Sequence, residues 1–206
     1  MKIEKVTFVT SKLEEMKSFY TEVMRFPLKE ENADSFTVEV GQSLLSFAET
    51  TEPVFYHFAF AITESGFDAF LQRIMGRAAL LPDSSGELVL HSNMWKGRQI
   101  YFEDPERNIL EVLSFPKESS QEWLAIQEVG MPSDDVHKLA QRLDDSFANE
   151  FASESDTFRF YGDREGVFVL VKERRHWFPT DRPARIHPIH VEAALENGNR
   201  ICFTRS

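Results

Sequence analysis

An order of apolar patterns recurs along this chain, and that recurrence constrains the fold more than any single segment does. Residues 3–9 alternate as a strand, with Ile3, Lys5, Thr7 and Val9 on one face and Val6 and Phe8 on the other. Ser11 opens a helix over 12–24, where Leu13, Met16, Phe19, Tyr20 and Val23 recur at three- and four-residue spacing and Glu14, Glu15 and Lys17 take the outer side. Short strands are expected at 28–31, 35–40 and 43–48, the last two joined by Gly41-Gln42. The same order then returns. A strand at 55–62 carries His57, Ala59 and Ala61 on one face and Tyr56, Phe58, Phe60 and Ile62 on the other, and a helix at 66–75 presents Phe67, Phe70, Leu71 and Ile74. Strands at 87–91 and in a hairpin over 98–115 complete the second unit.

The polar stretch Lys117-Glu118-Ser119-Ser120 precedes a third, partial unit. Residues 123–130 read as its first strand, and Ser133 can cap a helix bearing Val136, Leu139, Ala140 and Leu143. A loop is expected over 145–156, then strands at 158–161 and 166–171, and a proline-containing extended tail with a last strand near 200–203. The expected class is α+β, with residues 1–116 as one module of two strand-helix-three-strand halves and 117–206 as an additional half-module. A lone unit of this kind leaves a sheet edge unpaired, so the last part should cover or extend the first, within the chain or across a homodimer.

The hairpin raises the chemical question. Runs 99–102 and 109–115 flank Asp104-Pro105-Glu106-Arg107-Asn108, in which Asp opens a turn, Pro presets φ and Asn tolerates left-handed φ. In the second strand, Glu111 shares a face with Ile109, Leu113 and Phe115. A carboxylate among those neighbours needs a cation, a hydrogen-bond donor or a metal ion, because an unpaired buried charge is too costly to keep. His57, beside Ala59 and Ala61, has room around it for a ligand.

The balance of 34 acidic against 23 basic residues, a formal charge of -11, argues against an electrostatic grip on nucleic acid or an anionic membrane surface, and neither is an expected partner. The single cysteine, Cys202, excludes an intramolecular disulfide. No long apolar segment opens the chain, and a reducing cytoplasm is the expected location. There is no Gly-rich phosphate loop and no Gly-x-Ser-x-Gly elbow.

The tandem order, with HFAFAI opening the second unit and YFEDPERNILEVLSF closing it, resembles the vicinal oxygen chelate superfamily. That superfamily includes glyoxalase I, extradiol ring-cleaving dioxygenases and fosfomycin-resistance proteins. The resemblance implies a cup-shaped mixed sheet made from two half-modules, with metal ligands on the first and last strands of each. It assigns ligand positions to His57 and Glu111. In the first half the corresponding positions fall at Lys5 and near Ser46, which offer poor ligands and are expected, with Ala59, to line the same pocket.

Two readings follow. One is a glyoxalase- or dioxygenase-like enzyme whose divalent ion (Fe, Mn, Ni or Zn) chelates two adjacent substrate oxygens. The other is a metal-free protein binding a small molecule, in which Lys5 supplies the countercharge to Glu111. If Lys5 faces the cup, two protein ligands leave an ion short of the usual three, and weak metal binding is expected.

Overall fold

A computed structural model describes residues 1–144, 149–151 and 155–205. The first unit comprises β1 (Lys2–Thr10), α1 (Leu13–Ser18, continuing as a π-helical turn over Phe19–Val23), β2 (Leu28–Asn32), β3 (Ser35–Val40) and β4 (Ser43–Glu49). The second comprises β5 (His57–Thr63), α2 (Glu64–Ile74), the two-residue strands β6 (Ala79–Leu80) and β7 (Leu90–His91), then β8 (Arg98–Glu103) and β9 (Ile109–Phe115). The third comprises β10 (Trp123–Ser133), α3 (Val136–Asp144), β11 (Phe158–Asp163) and β12 (Gly166–Lys172); β13 (Ile189–Ala194) and β14 (Arg200–Arg205) follow. Of the loop expected over 145–156, residues 145–148 and 152–154 lie outside the described residues. No helix among the described residues is long and apolar enough to cross a membrane.

Within each unit the first strand pairs in parallel with the last, as β1 does with β4, β5 with β9 and β10 with β12. That leaves each first strand with one free edge, and a free edge recruits a partner. The partners differ from those expected. The first two units do not share a sheet: β5 pairs antiparallel with β10, joining the second unit to the third in an eight-stranded sheet, while β1 pairs antiparallel with β13 in a six-stranded sheet. The boundary expected at 116/117 is therefore crossed by both sheets. Three first strands with similar apolar faces present equivalent edges, so the patterning that defines the units does not dictate which edges meet.

One core lies between the sheets. Val6, Phe8, Leu45 and Phe47 of the six-stranded sheet meet Phe58, Phe60, Leu110 and Val112 of the eight-stranded sheet, with Phe8 4.6 Å from Phe58 between ring centroids. The stripes of α1, α2 and α3 close it through Met16, Phe67, Phe70, Leu139 and Leu143. Each such fully buried side chain stabilises the fold by about 1.5–3 kcal/mol relative to exposure. A register shift between Ile3 and Lys5 turns Ile3 into this core, off the face it shares with Lys5 under strict alternation.

The turn after β8 ties three elements together. Buried Asp104 accepts from the Asn108 backbone N–H at 2.9 Å, from Asn108 Nδ2 at 2.8 Å and from the Tyr20 hydroxyl at 2.9 Å. Burial pushes its pKa up to about 6 despite those bonds. The left-handed residue is Arg107, at φ 68°, in place of the expected Asn108. Asn108 is held by its side chain instead, its Oδ1 accepting from the Tyr56 backbone N–H at 2.8 Å. This bond sets the start of β5 against β9, and so sets His57 beside the strand that carries Glu111.

Candidate metal centre

The face of the eight-stranded sheet turned away from the core bears a cavity of about 350 Å³. Its polar floor comes from three neighbouring strands. His57 begins β5, Glu111 sits on β9 two pairs further along, opposite Ala59, and Glu128 on β10 lies opposite the same Ala59. Their donor atoms all lie within 4.8 Å of one another. His57 Nε2 is 3.9 Å from Glu111 Oε2.

A β-bulge aims Glu128. The register of β10 on β5 shifts between Ile126 and Glu128, so Gln127 is the extra residue. Under strict alternation Glu128 shares a face with Ile126, which is buried in the core between the sheets. The bulge breaks that parity and turns the carboxylate to the cavity.

Each donor is held by a second bond. The His57 Nδ1–H donates to the Ile109 carbonyl at 3.1 Å, leaving Nε2 with its lone pair toward the carboxylates. Burial lowers the His57 pKa to about 4, so the ring is neutral at pH 7. Tyr101, the cross-strand partner of Glu111, hydrogen-bonds it through the hydroxyl, and Gln99 Nε2 donates to that hydroxyl at 3.2 Å. The Trp95 indole N–H donates to Glu128 Oε1.

The electrostatics leave a deficit. Burial, and then the neighbouring charge of Glu128, hold the Glu111 pKa well above the carboxylate range, while burial pushes Glu128 up to about 7. Among the described residues no Lys or Arg forms an ion pair with either group. Two buried carboxylates and a neutral imidazole without a cation are a costly arrangement by themselves, and they are the donor set a divalent ion takes. The chemistry of the three residues fits the group that the fold implies.

Aromatic side chains enclose the donors. Trp177 lies 4.6 Å from His57 between centroids and rests on Gly130, where an added Cβ would come within 2.9 Å of the indole and 2.7 Å of the His57 carbonyl oxygen. Only glycine leaves that seat open. Phe178 packs edge-on to Tyr101 at 5.3 Å, and Phe158 and Phe160 line the far wall. His91, assigned by pattern to a strand end, is exposed and lines the mouth.

Of the residues singled out in the sequence, His57 and Glu111 meet here, with Ala59 packed among the apolar side chains beneath them. Lys5 and Ser46 do not join them. They lie on the outward face of the six-stranded sheet, where Lys5 is paired with Glu192 across the strands and Ser46 Oγ is 2.8 Å from Thr37 Oγ1. Lys5 cannot serve as the countercharge to Glu111, because the units that bear them occupy different sheets. Pattern reading missed Glu128. The available signal was a carboxylate on the first strand of the third unit, and the bulge disguised its face.

No family model matches the chain, and no curated protein does. Among solved structures, a putative dioxygenase from Bacillus subtilis subsp. subtilis str. 168 matches 96% of this chain and 72% of its own length, with a TM-score of 0.66 at 14% identity. A glyoxalase-related enzyme from Fulvimarina pelagi covers 62% of this chain and 97% of its own at TM-score 0.47 and 15% identity. Lactoylglutathione lyase from Agrobacterium tumefaciens covers 55% and 93% at 0.46 and 15%. With its parallel first-to-last strand pairing, its edge-joined units and its match to the dioxygenase along nearly the whole chain, this protein has the fold of the vicinal oxygen chelate superfamily.

Proposed function

We propose that the chain is a divalent-metal-dependent enzyme of glyoxalase or dioxygenase type, acting on a small molecule with two adjacent oxygens. The observation that carries this reading is the buried set of His57, Glu111 and Glu128, each with a second hydrogen bond and with no protein cation beside the carboxylates among the described residues. These three residues would hold the ion, and two carboxylates to one imidazole favour Mn or Fe over Cu. When bound, the ion supplies chelation of the two oxygens and stabilisation of the negative charge that develops on them.

The chain's own residues do the rest. Neutral His57 is fixed in one tautomer by Ile109, so it offers Nε2 and holds no proton there. Burial keeps the Tyr101 phenol protonated, so it acts as a donor to Glu111 rather than as a base. Trp177 and Trp95 exclude water from the donors and lower the local dielectric, which strengthens each polar contact.

The alternative, a metal-free binding protein, depended on Lys5 beside Glu111 and loses that support. The deciding experiment is titration of chelator-treated protein with Mn(II), Fe(II), Ni(II) and Zn(II), read by calorimetry and elemental analysis. One ion per chain that withstands dialysis, and is lost in Glu128→Gln, is the expected result. Failure of all four ions to bind would sink the proposal.

A further inference from the structure

The segment between β12 and β13 crosses the mouth of the cavity, and its backbone is fixed. Arg174 N–H donates to the Ala184 carbonyl and Ala184 N–H to the Arg175 carbonyl, both at 2.8 Å, and Trp177 N–H donates to the Arg182 carbonyl at 3.0 Å. Arg182 anchors the far side of the segment, bonding Glu103 at 2.9 Å and lying over the Phe55 ring at 4.5 Å. Arg175 is thus presented at the mouth by a locked strap rather than by a free loop.

Its guanidinium lies over the Phe158 ring, 4.7 Å from the centroid, and donates to the His176 carbonyl at 3.2 Å. A guanidinium has five donors. Among the described residues no carboxylate pairs with it, and its only side-chain hydrogen bond there is the one to the neighbouring His176 carbonyl. The stacked face matches how guanidinium groups are held ready for planar anions. Below it the walls are rings, and about 350 Å³ is at the small end for a ligand cavity, room for a single planar ring with short substituents.

We infer that the cavity takes a planar carboxylate, with the ring between Phe158 and Trp177 and the carboxylate on Arg175 at the mouth, at the opposite end from the three donors. This names the substrate class of the site proposed above and rests on that reading for the chemistry, though not for the binding. Arg175 is a specificity residue: it selects the charge at the end of the molecule remote from the adjacent oxygens.

The test uses benzoate and its neutral counterpart benzamide, followed by quenching of tryptophan fluorescence, since Trp95 and Trp177 line the cavity. It is run on metal-free protein and again with Mn(II). Benzoate should bind about tenfold more tightly than benzamide, as expected for one charge-assisted pair at a partly open site, and the ratio should shrink with added salt. Arg175→Met should bring the ratio to about one with Mn(II) uptake intact, and Arg175→Lys should restore part of it. A ratio near one in the unaltered protein, or a ratio unchanged in Arg175→Met, overturns the inference. So does loss of Mn(II) uptake in Arg175→Met, which would make the residue structural. If no form of the protein takes up Mn(II) yet the charge preference depends on Arg175, the metal reading fails and this one stands.

Discussion

The two sheets bear the same construction and opposite chemistry. On the eight-stranded sheet, the face turned from the core carries His57, Glu111 and Glu128 under a roof of Trp177, Phe178 and Trp95. On the six-stranded sheet, the equivalent face carries Lys5, Thr7 and Ser46 on β1 and β4, with His190 and Glu192 on β13. There the polar groups satisfy one another, with His190 Nδ1 2.7 Å from Thr204 Oγ1 and Nε2 3.2 Å from Glu192 Oε1. The difference teaches that strand geometry supplies positions for a site but does not make one. What makes one is a set of donors left without protein partners, together with side chains that keep water away. The strap that roofs the first face runs on into β13, which pairs with β1 in the second sheet.

The sharpest break of that contrast is to remove a donor. Glu111→Gln or Glu128→Gln should weaken Mn(II) binding by at least about 100-fold, beyond what loss of an outer-shell partner usually costs. Metal-free Glu128→Gln should unfold no more easily in urea than the unaltered protein, because a buried carboxylate without a cation does not stabilise the fold. A large loss of stability in that variant would contradict the deficit described at the site.

Removing the roof comes next. Trp177→Ala should cost about 3 kcal/mol of stability by denaturant titration, the usual price of an emptied aromatic site. It should also let water reach His57. The Gly130→Ala variant should mimic it in milder form by pushing the indole off its seat, and unchanged stability in both would mean that the roof is loosely packed.

Acidity should grade the contrast. With its pKa near 7, Glu128 must lose a proton before it can bind an ion, and Glu111, held well above the carboxylate range, must lose one too, so Mn(II) affinity should fall by more than about tenfold per unit as pH drops below 7. The Glu128 shift has the opposite sign for the metal-free fold. Its contribution to stability is complete below the ordinary carboxylate pKa and is lost as pH rises through about 7. Glu128→Gln should flatten that slope, and calorimetry across pH 4.5–8 reads it.

The smallest expected effect is on the other sheet. Lys5→His should leave divalent affinity within about twofold, since nothing links that face to the three donors. A new tight site after this change would mean that the two faces are closer to interchangeable than their partners suggest.

Much of this was legible in the sequence. Periodicity located the strands and helices of the repeated units, and two-residue spacing put His57 with Ala59 and Glu111 with Ile109 and Leu113 on one face, as the structure has them. What periodicity cannot carry is parity across a bulge or the choice between equivalent edges. Gln127 inverted the face of Glu128, the shift after Ile3 did the same for that residue, and the pairing of β5 with β10 moved Lys5 away from Glu111. The aromatic roof was invisible for another reason. Trp177 and Phe178 lie in a proline-containing segment without a regular period, held by bonds to residues far along the chain.

The closing of β1 by β13 also sets an order of events during synthesis. Thr7 faces His190 across that ladder, so β1 must wait roughly 180 residues of synthesis for this neighbour, a pairing of long sequence separation. Until then one edge of the nascent first unit stays open to any passing strand. The second and third units meet across a shorter separation, Ile62 pairing with Trp123, so their sheet can form before β13 is made. The sheet that carries His57, Glu111 and Glu128 can therefore close before β13 arrives to complete the other.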